Sequence, residues 1–529
     1  MPSTFTYPGI YVEEIPSGVH PIVGASTSDT AFVDYFPRGP VGVATRVTSL
    51  EEVTATFGGL DATSEASYGI QAFFLNGGQV AWVVRVVPAA NPPSATSTLT
   101  GGSPPQNTLA VSASSPGSWG KRVQVAATQT VPAVAGRFNL FVREVVVEEG
   151  GPRVVSSEVH RNLSMSTTSP FYAPSVVNSS SALISLDDLD LGQPPTAVAP
   201  GANGDPPDAA WSPLSTVSDT QVYDTAGAAV PAFAGALSAA LPALERIEPF
   251  RASILCVPAT PRLTLADAKT VIDAAAAFAG RRRAVLLVDP PRSTQVASAA
   301  AMQGWVGGST GPAGTPNAAV YFPGIQVSDP LDGNRPREIG PSGAVAGIYA
   351  RTDVSRGVWK APAGIDAGLR GAVLARTVNE SDSARLNPLG VNVLRTLPVI
   401  GNVVWGARTL FGADQRASEW KYVSVRRTAF HIESSLADGL GWVVFEPNDE
   451  PLWAQIRLNV GSFMQDLFRQ GAFQGSTPRE AYLVKCDRTT TTQSDIDRGV
   501  VNILVGFAPL KPAEFVVIRI QQLAGQAQA

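Results

Sequence analysis

The sequence predicts an α/β chain of mixed α+β character: an α/β core domain built from N-terminal and C-terminal parts of the chain, an inserted β-rich outer domain, and extended terminal β-strand arms. Three observations predict it. Strand, helix and strand follow one another between residues 253 and 288, β-branched and aromatic runs fill a segment bounded by two proline-rich stretches, and a short apolar, strand-like segment stands near each end. The 529 residues, set against roughly 150 per domain, make two or three domains the expectation.

The core is read from residues 253–257 (SILCV) and 284–288 (AVLLV), two short continuous apolar runs, with an alanine-rich helical segment between them at 265–279 and Gly280 as its stop. A crossover of this length makes its two strands parallel and lays the helix on the sheet. The insert is read from 121–128 (KRVQVAAT) and 137–147 (RFNLFVREVVV), with EEGGP at 148–152 turning into a third strand at 153–163. These make 101–190 a small β-rich module. Pro88 to Pro105 and Leu191 to Ser215 lack periodicity and read as linkers on either side of it.

In 451–470, Leu452, Ile456, Val460, Phe463 and Leu467 recur at helical steps and make one apolar stripe. Gln455, Asn459, Ser462, Asp466 and Arg469 fall outside it. The segment is either an ordinary surface helix or one that presents an interaction face. The ends are read from 6–15 (TYPGIYVEEI) and 514–521 (EFVVIRIQ), each too short to bury itself and apolar enough to need cover. Either both pair with sheets of neighbouring copies, in which case head-to-tail contacts that do not close make a helical filament, or both fold back on their own sheet.

Composition narrows the function. With 44% hydrophobic and 16% charged residues a packed core is expected, and a net charge of -5 disfavours coating nucleic acid or anionic membrane. Residues 1–90 carry net -5, 91–250 net -6 and 251–529 net +6, so an acidic protein surface would be steered to the C-terminal half. Cys256 and Cys486 are too few to staple a secreted scaffold, and synthesis in a reducing cytosol is expected. The longest apolar tract, 226–244, is broken by Pro231 and Pro242, so no membrane insertion is expected.

Catalytic chemistry is sparse. His20, His160 and His431 lie in separate parts of the chain, and His431-Ile432-Glu433, read as extended or a turn, lacks the second ligand of a zinc helix. Cys256 and Asp289 end successive strands, where open α/β sheets bind ligands; a cytosolic α/β hydrolase using Cys256 is therefore the alternative from another class. Glycine-rich 304–314 and 117–121 lack the lysine of a phosphate loop and read as loops, while Arg281 to Arg283 complement a helix C-terminus. No catalytic residue, cofactor or metal is expected.

Longer motifs carry a resemblance. YPGIYVEEIPSG from Tyr7, GASTSDTAFVDYFPRGP from Gly24, RTDVSRGVWKAPAG from Arg351, NVLRTLPVIGNVVWGARTL from Asn392, WKYVSVRRTAFHIESSL from Trp420, GWVVFEPNDEPLWAQIR from Gly441 and GFAPLKPAEFVVIRIQQ from Gly506 resemble, in order, the sheath proteins of contractile tails. The resemblance covers 1–90 and 320–529, and more loosely the insert through SPGSWGKRVQV from Ser115. It implies a structural subunit, not an enzyme, that forms stacked rings around an inner tube protein and contracts to drive the tube through a target envelope.

The partners it implies are further copies of the chain, the inner tube protein, and baseplate and terminal cap proteins. It also implies assembly in a bacterial cytoplasm, as part of a phage tail or of a phage-tail-like injection particle released extracellularly. Terminal arms would knit the copies together through Tyr7, Ile10, Tyr11, Val12 and Ile15 at one end and Phe515, Val516, Val517, Ile518 and Ile520 at the other, with hinges at Pro8, Gly9, Gly18, Pro509 and Pro512. The helix at 451–470 would face the tube through Gln455, Arg457, Asn459, Asp466 and Arg469. The domains then run 1–24 (arm), 25–90 (core), 91–225 (insert and linkers), 226–400 (core), 401–510 (C-terminal domain) and 511–529 (arm).

Overall fold

Eight strands form the central sheet, in the spatial order Gly401–Val404, Val391–Leu397, Ala318–Phe322, Val285–Val288, Ile254–Cys256, Thr30–Asp34, Ala81–Arg85, Thr45–Val47. The computed structural model describes residues 20–88, 94–148, 151–189, 192–214, 222, 229–250, 252–292 and 296–519. The chain divides into two units, one of Ser26–Arg356 with Ala361–Arg426, the other of Met1–Ala25, Gly357–Lys360 and Arg427–Ala529. The sheet belongs to the first, larger unit.

Its five inner pairings are parallel and the pairings at both edges antiparallel. Thr30–Asp34 pairs with both Ala81–Arg85 and Ile254–Cys256, so the core is built from segments on either side of the insert. The four central strands, Thr30–Asp34, Ile254–Cys256, Val285–Val288 and Ala318–Phe322, are buried throughout; parallel strands covered on both faces are largely apolar for this reason. Between Ile254–Cys256 and Val285–Val288 lies the expected helix, but it runs Leu265–Arg281, through Gly280. The stop comes at Arg282 and Arg283, the latter at φ 57°. Gly280 serves packing instead, because a Cβ there would lie 2.3 Å from Asn317 Nδ2.

Helices Glu65–Leu75 and Ser342–Arg356 pack closely through two glycines one turn apart. A Cβ on Gly343 would meet the Gly69 carbonyl oxygen at 2.1 Å, and one on Gly347 the Phe73 oxygen at 2.4 Å. Glu65, buried at the start of its helix, accepts three guanidiniums: Arg262 at 3.0 Å, Arg292 at 2.8 Å and Arg337 at 3.1 Å. One carboxylate thereby ties the helix Glu65–Leu75 to three later segments of the chain.

The insert comprises two antiparallel sheets over one apolar core that includes Leu109, Val125, Phe138, Leu140 and Leu163. One sheet orders Thr96–Gly101, Gln106–Ala113 and Ile184–Asp188; the other orders Ser212–Pro213, Val123–Gln129, Arg137–Glu148 and Gly151–Ser164. The first strand corrects the linker reading of Pro88 to Pro105. Its threonines alternate outward along Thr96–Gly101, and Pro104 and Pro105 lie in the hairpin connection. The glycine-rich stretches are likewise not plain loops: Ser118–Arg122 is a 3-10 turn, and Ala299–Gly307 is a helix with Met302 and Trp305 buried.

Arg85 fastens the insert to the sheet. Its buried guanidinium donates to the carbonyls of Phe36 at 2.7 Å, Gly39 at 2.7 Å, Pro37 at 3.0 Å and Pro116 at 2.6 Å. Burial pushes its pKa down to about 10.

Candidate functional site

In the smaller unit, Tyr482–Lys485 pairs antiparallel with Leu504–Phe507, Tyr482 opposite Phe507 and Lys485 opposite Leu504. Phe473 packs on both strands, its ring centroid 6.2 Å from that of Tyr482 and 5.8 Å from that of Phe507. A capping box at Thr477 and Glu480 starts the short helix Pro478–Ala481 that feeds the first strand. Among the described residues no third strand joins either side, so both edges carry open backbone groups.

The chain leaves this sheet with the Ala508 N–H donating to the Ala481 carbonyl at 2.8 Å and a bridge between Pro509 and Phe473. Beyond it, residues 511–519 have no regular structure. Phe515, Val516, Val517 and Ile518 are 74–81% exposed, and Pro512 is half-buried. An apolar tetrad held this far into water has no cover among the described residues. The remaining arm and hinge residues, Tyr7, Pro8, Gly9, Ile10, Tyr11, Val12, Ile15, Gly18 and Ile520, lie outside the described residues.

The second feature is the helix Glu450–Arg469, capped by the Asp449 carboxylate, which accepts from the Glu450 N–H at 2.7 Å. The stripe Leu452, Ile456, Val460, Phe463 and Leu467 is buried, joined by Trp453 and Met464. Gln455, Ser462, Asp466 and Arg469 are exposed, the last two 3.7 Å apart as an ion pair. Asn459 departs from the expectation: it is buried, and neither polar atom of its carboxamide has a partner. Three residues after Ile456 and four before Phe463, it falls inside the apolar arc, which is wider than one residue per turn. Arg457 is half-buried and engaged, donating to the Cys486 carbonyl and, at 2.7 Å, to Glu450 Oε1. Leu458, 59% exposed, is the apolar residue on the polar side that the stripe count passed over.

The crevice at the strand ends does not assemble a nucleophile. Cys256 and Asp289 are fully buried; desolvation, then the Asp289 charge, push the thiol well above its usual range. Burial raises Asp289 to about 7, and both its oxygens are occupied by Ser342, whose N–H donates at 2.7 Å and hydroxyl at 2.5 Å. His431 is not extended but sits in the helix Val423–Gly439, its ring near Phe463. His20 stacks on Trp442 at 4.5 Å, and His160 contacts Glu158 at 3.4 Å. Among the described residues no group of His, Cys, Asp or Glu could hold a metal ion, and no helix is long and apolar enough to cross a membrane.

Open strand edges beside an uncovered apolar segment are features of proteins that assemble by strand addition. Residues 234–410 match the phage tail sheath protein central domain and residues 415–522 the phage tail sheath C-terminal domain, together more than half of the chain. The chain belongs to the phage tail sheath protein family. It is 27% identical over 258 residues to the tail sheath protein of Vibrio phage KVP40, a match covering 45% of this chain and 36% of that one. The chain thus spans about a third of the length of that relative.

The fold is shared with the sheath complex of PVC, an extracellular contractile injection system in its contracted state: 20% identity, 99% of each chain, TM-score 0.57. A sheath tail protein from Listeria innocua covers 92% of this chain and 96% of its own at 12% identity and TM-score 0.60. The α/β hydrolase alternative has no support in any of these likenesses.

Proposed function

We propose that this chain is the structural subunit of a contractile sheath, polymerising helically around an inner tube protein and contracting to drive that tube through a target envelope. The observation that carries the reading is the exposed Phe515–Ile518 segment, apolar and strand-forming in composition, in a unit whose two-stranded sheet gains no third strand among the described residues. A neighbouring copy's arm added to such an edge satisfies the open N–H and C=O groups and covers the apolar side chains in one step. The N-terminal residues Tyr7, Ile10, Tyr11, Val12 and Ile15 act as the second arm.

Backbone hydrogen bonds of this kind survive rotation of the domains they join when hinges absorb the change; Pro8-Gly9, Gly18, Pro509 and Pro512 stand beside the arms. Contraction draws its free energy from surface the larger units bury against one another, while the long state is held kinetically. The helix Glu450–Arg469 turns Gln455, Leu458, Asp466 and Arg469 toward the tube. The baseplate and a terminal cap are the remaining partners. The role involves no catalysis. Assembly takes place in a bacterial cytoplasm. The particle is a phage-tail-like injection system, with a contractile phage tail as the alternative.

Negative-stain microscopy of the purified chain, alone and with its tube protein, is the test. Striated tubes are expected. A chain that stays a monodisperse monomer both alone and with its tube protein would overturn the reading.

A further inference from the structure

Arg262, Arg292, Arg335 and Arg337 line one pocket of about 300 Å³ in the larger unit. Three of them converge on Glu65, Arg262 and Arg337 on Oε1 and Arg292 on Oε2. The Glu65 carboxylate is 1% exposed, whereas the side chains of Arg262 and Arg292 are 21% and 30% exposed, so an ion in solution reaches the guanidiniums from the pocket.

The pocket lies where open α/β sheets take their ligands. Thr30–Asp34 has Ala81–Arg85 on one side and Ile254–Cys256 on the other, and the chain fills the first side before the insert and the second after it. Crevices at such reversals, outside the carboxyl ends of the strands, are ligand sites. Arg262 follows Ile254–Cys256 and Arg292 follows Val285–Val288. The Ser64 hydroxyl donates to the Tyr35 carbonyl at 2.6 Å, which holds the start of the helix Glu65–Leu75 at the end of Thr30–Asp34.

Other contacts hold the arginines in place without Glu65. Arg337 lies over the Tyr68 ring at 4.2 Å, donates to the Ala62 carbonyl at 2.9 Å and pairs with Asp329 at 3.5 Å. Arg292 also donates to the Glu338 carbonyl. Arg337 Nε is buried with no hydrogen-bond partner, a donor that Glu65 leaves unused. The acids on the pocket wall are Asp329, Asp332 and Glu338, and Asp332 is paired with Arg335 at 3.4 Å. With Glu65 removed, four cations would face three anions there.

We infer that Arg262, Arg292 and Arg337 form a binding site for a small carboxylate anion, filled in this chain by its own Glu65. Planar guanidiniums match the two oxygens of a carboxylate. The built-in ligand holds the strand ends together as a bound anion would, with no dependence on a solute.

The test empties the seat in the full chain with Glu65→Ala and offers sodium formate, with sodium chloride at equal concentration as the control for screening. Glu65→Ala should melt below wild type in chloride. Formate should restore at least about half of the lost melting temperature in a saturable way, because an anion bound by the folded state alone stabilises it by mass action. Wild type and Glu65→Gln, whose side chains fill the seat, should melt alike in the two salts. Adding Arg292→Ala to Glu65→Ala should remove most of the formate response. Should Glu65→Ala not fold in chloride, its refolding yield from urea in each salt gives the same readout.

An equal response of Glu65→Ala to formate and chloride would overturn the inference. So would a formate gain as large in wild type, or in the double variant with Arg292→Ala. Each of these results leaves the sheath reading standing.

Discussion

Asp289 caps the helix Ser342–Arg356 from a neighbouring strand end, its two carboxylate oxygens taking the backbone N–H of Ser342 at 2.7 Å and its hydroxyl at 2.5 Å. The carboxyl is buried, and burial raises it from 3.8 to about 7. A carboxyl whose folded value lies above its unfolded one contributes stability that is complete below the unfolded value and is lost as pH rises through the folded one. The stability of the larger unit should therefore decline between pH 4 and pH 7, and Asp34, raised by burial in the same direction, adds to the decline. Asp289→Asn should flatten that slope at a cost of about 1–3 kcal/mol near pH 5. Urea midpoints at pH 5 and pH 8 check this, and an unchanged slope in the variant would refute it.

Arg85→Leu leaves the carbonyls of Phe36, Pro37, Gly39 and Pro116 without their shared donor. A loss of roughly 3–5 kcal/mol is expected by denaturant titration. Arg85→Lys should recover only part of it, since an ammonium cannot span four acceptors in a fixed plane.

Glu65→Gln removes the charge on which Arg262, Arg292 and Arg337 converge. Three guanidiniums left facing one another should cost about 3–5 kcal/mol. Thermal melts of the variant should show the loss shrinking as salt is added, because salt screens the repulsion that remains.

Asn459→Leu should stabilise the smaller unit by about 1–3 kcal/mol, since it replaces a buried carboxamide that has no partner with an apolar group of similar size. Urea unfolding read by hydrogen exchange of the amides in Glu450–Arg469 would measure it. Destabilisation would instead mean that the carboxamide has a use, such as holding a water molecule.

Deleting residues 1–15 or 511–529 should abolish polymers while leaving a folded monomer with unchanged circular dichroism, since the described part of the second segment is exposed and irregular. Size-exclusion chromatography and microscopy give the readout; tubes of normal appearance from either truncation would refute the arm assignment.

Much of the core was legible because its signals are local. The strand–helix–strand at 253–288, the insert hairpin of Arg137–Glu148 with Gly151–Ser164, and the helix Glu450–Arg469 each follow from periodicity and turn residues within a short window. Thr96–Gly101 was hidden because threonines and serines among prolines carry a linker's composition, and only the pairing with Gln106–Ala113 makes them a strand. His431-Ile432-Glu433 conceals its helix for a related reason: alternation over three residues says nothing when the helix around it spans seventeen. Asn459 is polar by composition, whereas its angle on the helix puts it in the core.

By itself the sequence determined the alternation of elements, the family motifs and their order, and the presence of two apolar ends too short to cover themselves. Tertiary structure alone decided which distant segments share a sheet, that one glutamate gathers three arginines, and that Gly343 and Gly347 meet the backbone of Glu65–Leu75. The reason is that periodicity encodes which face of an element is apolar, while the neighbour that face meets depends on closing loops of hundreds of residues, which leaves no mark in any local window.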